Sequence, residues 1–305
     1  MLTVIDEGTP YGIATGPDGA LWFTLVHQGR IGTMVPGQKP VVHQLAQADG
    51  QPTVITPGPD GAMWFSEGQG GRVSRITAEG RVTSHEADSP YGIVAGPDGG
   101  MWFTQMRIGR IGRIGLDGER ADFEVPVEGG MPAFITSGPD DALWFTINQG
   151  NAIGRVSLGG DVTVHPLPTE GAAPVGITLG PDGALWFVEI GAGQVGRIST
   201  SGEITEYPLP DRAARPHAII TGPDGALWFT EWAAGRVGRI TVDGAIEEHA
   251  LPPLPAELRA EAGAEAGVGD GDDGAVRKAE PHGLTVGPDG AIWVALEAGA
   301  LARLG

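Results

Sequence analysis

The sequence predicts an all-β fold, namely a seven-bladed β-propeller with four strands in each blade. A tryptophan recurs along the chain with successive steps of 42, 38, 42, 42, 42 and 65 residues. Repeats of about 40 to 45 residues that are rich in glycine and contain several short β-type stretches are typical of propeller blades. The seven anchoring tryptophans are Trp22, Trp64, Trp102, Trp144, Trp186, Trp228 and Trp293.

The first copy of the repeat indicates how one blade is built. An apolar run from Tyr11 to Thr15 predicts the innermost strand, and the following Gly16-Pro-Asp-Gly predicts a tight hairpin turn. Proline sets one φ angle of such a turn, and glycine accepts the positive φ. Leu21 to Thr24 predicts the second strand, an arginine- and isoleucine-rich run the third, and a run such as Ile204 to Tyr207 the fourth.

The two ends of the chain are predicted to meet in one blade. Met1 to Glu7 precedes the first repeat as an outer strand without a blade, while the chain ends at Gly305, just after a third strand. The N-terminal strand should therefore complete blade seven and remove an exposed sheet edge. Residues 1–305 are predicted to form one domain, with an acidic, Gly- and Ala-rich insertion at about 252–279 between blades six and seven.

Composition excludes several classes of function. The net charge of −19 argues against binding to nucleic acid, because phosphate contacts need a basic surface. No apolar run approaches the roughly 18 to 20 residues of a membrane-spanning helix. The first residues have no pattern of a secretory signal, so a cytoplasmic protein is expected. Without cysteine, disulfides and thiolate metal sites are excluded.

Most of the seven histidines occupy a structural position of the repeat. His43, His85, His165 and His249 each follow their own tryptophan by 21 residues, where other copies have Phe123 or Tyr207. This regularity predicts a packing position in the outer strand. His27 is predicted to be a solvated loop residue, which leaves His217 and His282, each 11 residues before its tryptophan.

The innermost position shared by His217 and His282 should face the central axis of a propeller. Glu280 precedes His282 by two residues, and residues two apart on a strand face the same side. Glu297 follows Trp293 by four residues, at the end of the second strand, which should bring it near Glu280. Trp232, the one tryptophan outside the repeat position, holds the equivalent place in blade six. Two carboxylates and an imidazole at one rim predict a hard-cation site beside a base.

Several segments of the chain resemble the virginiamycin B lyase family, which inactivates streptogramin B antibiotics, and the resemblance covers essentially the full length. It is most specific in Ala214-Arg-Pro-His-Ala-Ile, Leu227-Trp-Phe-Thr-Glu-Trp, Glu280-Pro-His-Gly and the terminal Trp293-x-x-x-Glu. The resemblance implies a monomer that opens the cyclic depsipeptide by elimination, without attack of water on the ester, and that uses Mg²⁺. It also implies roles for six residues: Glu280 and Glu297 as magnesium ligands, His282 as general base, His217 as a substrate-binding histidine, and Tyr11 and Trp232 as aromatic residues that pack against the antibiotic.

The proposed residues suit this chemistry, but two other functions stay open. Magnesium prefers oxygen ligands, and the imidazole of His282 titrates near neutrality. A metal-dependent lactonase or esterase would use the same ligand types to activate water. A non-catalytic binding propeller would need the fold but not the chemistry. The mass of the product distinguishes elimination from hydrolysis.

Overall fold

The computed structural model describes residues 1–256, 258 and 279–305, which form seven four-stranded antiparallel sheets. The innermost strands are β2 Pro10–Thr15, β6 Pro52–Pro57, β10 Pro90–Ala95, β14 Pro132–Ser137, β18 Pro174–Leu179, β22 Pro216–Thr221 and β26 Pro281–Val286. The second strands are β3 Leu21–Leu25, β7 Met63–Glu67, β11 Met101–Gln105, β15 Ala142–Ile147, β19 Leu185–Glu189, β23 Leu227–Glu231 and β27 Ile292–Leu296.

The third and fourth strands of each blade lie progressively further from the axis. The third strands are β4 Arg30–Met34, β8 Arg72–Ile76, β12 Arg110–Ile114, β16 Ala152–Ser157, β20 Gln194–Ile198, β24 Arg236–Ile240 and β28 Ala300–Leu304. The outer strands are β5 Val41–Gln44, β9 Val82–Glu86, β13 Arg120–Glu124, β17 Val162–Pro166, β21 Ile204–Pro208 and β25 Ile246–Ala250, with β1 Leu2–Val4 completing blade seven.

The ring closes in the way that the sequence predicts. Each innermost strand packs against the innermost strands of the two neighbouring blades, and β26 packs against β2. The N-terminal strand β1 pairs antiparallel with β28, with Leu2 opposite Ala302. Since β1 covers the free edge of β28, the predicted closure of blade seven by the N-terminal strand is confirmed.

The second strand of each blade supplies the core between blades. Trp186 and Phe187 are fully buried, and Trp186 lies in one cluster with Leu227 and Phe229 of the next blade. Gly196 lies opposite Phe187 in the third strand, where a Cβ would come within 2.1 Å of the phenyl ring. A glycine is therefore required there for the ring to lie flat on the sheet.

A recurring set of neighbours holds the tryptophans. In blade five, the indole Nε1 of Trp186 donates to Asp182 at 3.0 Å, and Nε of Arg197 donates to the other carboxylate oxygen at 2.7 Å. The ring of Tyr207 stacks on the tryptophan at 5.5 Å. The predicted packing position is confirmed, because the same stacking is made in blades one to four and six by His43, His85, Phe123, His165 and His249.

Replacing Asp182 by alanine should destabilise the fold without changing the central site. The change leaves the buried Trp186 indole without its acceptor, so the free energy of unfolding at neutral pH should fall by about 1–3 kcal/mol. Burial alone would raise the pKa of Asp182, but the hydrogen bonds from Trp186 and Arg197 outweigh it and lower that pKa. This stabilisation is present above the unfolded-state pKa and is lost as the pH falls through the folded-state pKa.

The difference between wild type and Asp182→Ala should therefore shrink as the pH falls below about 4. Chemical denaturation at several pH values measures it, and Asp49→Ala at an exposed position is the control. An Asp182→Ala protein as stable as wild type at neutral pH would contradict this role.

The predicted insertion at 252–279 begins as a packed segment. Leu254 and Leu258 are buried in a cluster with Leu296 and Ala298 of blade seven. The remainder of the insertion, residues 257 and 259–278, lies outside the described residues. Among the residues that the structure describes, no helix has the length and apolar character needed to cross a membrane.

Candidate functional site

Two rings of residues surround the mouth of the propeller. The pre-strand ring consists of the seven residues that directly precede the innermost strands. The post-strand ring consists of the seven residues that directly follow the second strands. In every blade the post-strand N–H donates to the pre-strand carbonyl at 3.0 to 3.3 Å. The seven pairs are Thr9 and Val26, Gln51 and Gly68, Ser89 and Met106, Met131 and Asn148, Ala173 and Ile190, Arg215 and Trp232, and Glu280 and Glu297.

Glu280 and Glu297 are thus neighbours, as the sequence predicts. The N–H of Glu297 donates to the carbonyl of Glu280 at 3.1 Å. Glu280 has a left-handed backbone, with φ of 46°. Because one hairpin supplies both residues, a short stretch of blade seven brings their backbones together at the rim.

The carboxylate of Glu297 joins this pair to His282. Its Oε2 lies 2.5 Å from Nε2 of His282, whose side chain is almost fully buried. The hydrogen bond from His282 is the main cause that lowers the pKa of Glu297 to about 2, against the opposing effect of burial. Glu297 is therefore ionised at neutral pH, and its Oε2 accepts a hydrogen bond from Nε2–H of His282.

His27 is a second partner of the same carboxylate, which the sequence did not predict. Its Nε2 lies 2.7 Å from Oε1 of Glu297, and its side chain is 54% exposed. The prediction of a solvated loop residue is confirmed, and the contact with Glu297 adds a partner that this prediction did not include. The sequence position of His27 could have indicated this contact. His27 directly follows Val26, the post-strand residue of blade one, and blade one lies next to blade seven in the closed propeller.

Tyr11 lies against His282 at the centre of the mouth. The two rings stack with centroids 4.3 Å apart, and the Tyr11 hydroxyl lies 2.9 Å from that of Tyr91 and 3.4 Å from Nε2 of His217. Burial, with the neighbouring Tyr91 next in importance, raises the pKa of Tyr11, so this phenol stays protonated. Trp232 faces His282 from blade six at 6.3 Å.

His217 and His282 meet edge to face, with centroids 4.9 Å apart. Burial lowers the pKa of His217 to about 3, and the positive charge that His282 can carry adds to this effect. His217 is therefore neutral at physiological pH. A neutral imidazole donates one hydrogen bond and accepts another, which suits a binding residue better than a base that must gain a proton.

Two further aromatic residues at the centre were not predicted as site residues. Tyr91 bonds Tyr11, and Phe134 contacts both Tyr91, at 5.3 Å, and His217, at 5.9 Å. Tyr91 shares the innermost repeat position with Tyr11, which was a usable signal. Phe134 lies one residue further on, and a register shift between Pro132 and Ile135 disturbs the simple alternation of sides there.

A cavity of about 350 Å³ continues below these rings along the axis. Tyr11 and His217 line its upper part, and Thr15 and Thr285 lie on its wall further along the innermost strands. The side-chain rings of Tyr11, Phe134 and His217 therefore line the cavity at its end nearest the mouth.

The donor set of the rim fits a magnesium ion that keeps part of its water shell. Magnesium in proteins is often bound by one or two carboxylates together with waters and substrate oxygens. Glu280 and Glu297 supply two carboxylates, and Glu297 is anionic at neutral pH. Across residues 1–256, 258 and 279–305, no three His, Cys, Asp or Glu side chains are grouped so that they could hold a metal ion by themselves.

Comparisons with known proteins agree with this geometry. A profile of the Virginiamycin B lyase family matches residues 2–268. A virginiamycin B lyase from Staphylococcus aureus is similar in structure, with a TM-score of 0.88 and 39% identity, and the match covers 99% of this chain and 97% of that one. A catalytically inactive variant of the Staphylococcus aureus enzyme, solved with quinupristin, matches at 38% identity with a TM-score of 0.87, covering 99% of this chain and 97% of that one.

Curated relatives match over shorter stretches. A virginiamycin B lyase from Saccharopolyspora erythraea is 55% identical over 83 residues, which is 27% of this chain and 27% of that protein. One from Nocardia farcinica is 44% identical over 94 residues, or 30% of this chain and 33% of the relative. The matched stretches thus span about a third or less of these relatives, whereas the structural matches extend over nearly whole chains.

Proposed function

Because the chain belongs to the virginiamycin B lyase family, we propose that it linearises streptogramin B antibiotics by elimination at the ester bond. The observation that carries this proposal is the contact of Glu297 with His282 at 2.5 Å, in a hairpin where Glu297 is also bonded to the backbone of Glu280. A relative with 38% identity, an inactive variant of the Staphylococcus aureus enzyme, is known in complex with quinupristin. That complex supports a cyclic depsipeptide as the substrate class.

The contact between Glu297 and His282 supports His282 as the general base. The ionised Glu297 accepts from Nε2–H of His282, so the basic lone pair lies on Nδ1. Nδ1 of His282 is buried and has no hydrogen-bond partner among the described protein atoms. His282 would take the proton from a substrate C–H, while Glu297 stabilises the imidazolium that forms.

Elimination then follows from the structure of the substrate. The proton leaves the α-carbon of the threonine-derived residue, and the electron pair forms the Cα–Cβ double bond as the ester oxygen departs from Cβ. The products are a dehydrobutyrine residue and a free carboxylate in one linear peptide. A magnesium ion held by Glu280 and Glu297 would polarise a substrate carbonyl and stabilise the negative charge that develops.

The remaining residues would position the antibiotic. Tyr11 is fixed by its bonds to Tyr91 and His217, and it supports the ring of His282 by stacking. Trp232 offers an aromatic face beside His282, and the Arg215 guanidinium lies 5.9 Å from the Trp232 ring. The neutral His217 can exchange a hydrogen bond with a substrate amide. One chain supplies all of these groups, and we expect the active form to be a monomer.

Incubation with a streptogramin B antibiotic and magnesium tests the proposed activity. We expect the intact cyclic compound to disappear from the chromatogram and the mixture to stop inhibiting a sensitive indicator strain. Tight binding of the antibiotic without any turnover would favour the non-catalytic binding propeller instead.

A further inference from the structure

Six residues of the pre-strand ring hold a backbone conformation that favours glycine. Their φ angles lie between 42° and 54°, in the left-handed region. A residue with a Cβ atom is strained there by roughly 1–2 kcal/mol. The six residues are Gln51, Ser89, Met131, Ala173, Arg215 and Glu280.

The chain uses glycine at other repeat positions that need a positive φ. In six of the seven blades the hairpin turn after the innermost strand ends in a glycine, such as Gly99 with φ of 74° and Gly183 with φ of 76°, and in blade four Asp141 takes this position. The pre-strand ring has a side chain in all six strained positions instead. Strain of this kind concentrates at functional sites, where the side chain has a use that compensates for it.

One member of the ring, Glu280, already belongs to the candidate site. The other members occupy the equivalent position in their own blades, because each accepts the same backbone hydrogen bond from the post-strand residue. They therefore border the same mouth. The ring has two chemically different sides. Arg215 and Glu280, in blades six and seven, are charged, whereas Met131 and Ala173, in blades four and five, are apolar.

Met131 lies on the side of the mouth that faces the reactive group. In a ring of seven, blade four lies opposite the junction of blades seven and one, where Glu297 contacts both His282 and His27. Met131 and Met106 border a cavity of about 390 Å³ between blades three and four, which Ile108 and Val127 also line. Arg107, Arg110, Glu124 and Glu128 lie on the wall of the same cavity.

We propose that Met131, together with Met106, forms a specificity-determining subsite that binds an apolar side chain of the cyclic peptide while its ester lies at His282. This inference rests on the function proposed above. Methionine is unbranched and polarisable, so it adapts to aromatic and aliphatic groups. The subsite adjoins the mouth directly, and both methionines are only partly buried in the free protein. A substrate that spans the mouth would therefore cover them.

Substitution of Met131 by glycine distinguishes a role in binding the antibiotic from a role in stabilising the fold. Met131→Gly removes the side chain and also the backbone strain, so its melting temperature should equal or exceed that of the parent. If Met131 only stabilised the fold, the same change would lower the melting temperature. The matched control is Ala173→Gly in the next blade, which relieves the same strain but removes a single methyl group.

Binding is best measured in a His282→Ala background, where turnover does not interfere with calorimetry. We expect Met131→Gly to raise the Kd for a streptogramin B antibiotic about tenfold, the effect of losing one buried apolar side chain. Ala173→Gly should leave the Kd unchanged. In the active protein, Met131→Gly should raise KM with little change in kcat.

Two results would overturn the inference and leave the proposed function intact. One is an unchanged Kd in Met131→Gly, and the other is a loss of affinity together with a clear fall in melting temperature. Failure of the folded His282→Ala parent to bind any streptogramin B would overturn the proposed function, and the subsite with it.

Discussion

His282→Ala should lower kcat by about a hundredfold or more, which is the usual effect of removing a general base. The imidazole of His282 is held by Glu297 at 2.5 Å and by the stacked ring of Tyr11 at 4.3 Å. Alanine leaves Glu280 and Glu297 in place but provides no group that can take the α-proton. Single-turnover kinetics, with the enzyme in saturating excess over the antibiotic, measures the effect on the chemical step.

A histidine of the outer strands serves as the control. His165 stacks on Trp144 at 5.6 Å, far from the mouth in the same kind of sheet. His165→Ala should reduce stability and leave kcat close to that of wild type. If His282→Ala retained near wild-type kcat, the base would have to be another group, and His217, with its pKa of about 3, would be the next residue to test.

Removal of divalent metal should abolish turnover, and magnesium should restore it. Glu280→Gln and Glu297→Gln keep the size of each side chain but remove its charge, so both should need far more magnesium for the same rate. Glu297→Gln should also reduce kcat at saturating magnesium, because an amide stabilises the imidazolium of His282 less than a carboxylate does.

Direct metal binding gives a readout that does not depend on activity. Mn²⁺ can replace magnesium in a titration followed by electron paramagnetic resonance, and both variants should bind it more weakly. Glu119→Gln, at an exposed position of blade three, is the charge-matched control and should behave as wild type. Full turnover in the presence of a chelator would refute the metal site.

The repeat carries most of the information about the fold. Each tryptophan marks a second strand, and the residues at fixed distances from it have fixed neighbours, such as Asp182 and Tyr207 around Trp186. The sequence therefore predicts the blades, the packing position and the closure by the N-terminal strand. The adjacency of Glu280 and Glu297 is predictable for the same reason, since both ends of one hairpin meet at the rim.

Contacts between blades are harder to predict from the sequence. The contact of His27 with Glu297 depends on the separation of blades one and seven, which the repeat period does not give. Phe134 reaches His217 across a register shift, where the alternation of sides fails. The left-handed residues of the pre-strand ring precede proline, which favours extended conformations, so Met131 carries no sequence signal of its backbone strain.

The mass of the reaction product tests the central claim most directly. Elimination breaks the ester without adding water, so the linear product should have the same mass as the cyclic antibiotic and should contain a dehydrobutyrine residue. We expect this isomeric product from wild type with magnesium, and none from His282→Ala on the same timescale. A product heavier by the mass of one water molecule would show hydrolysis and would contradict the proposed reaction.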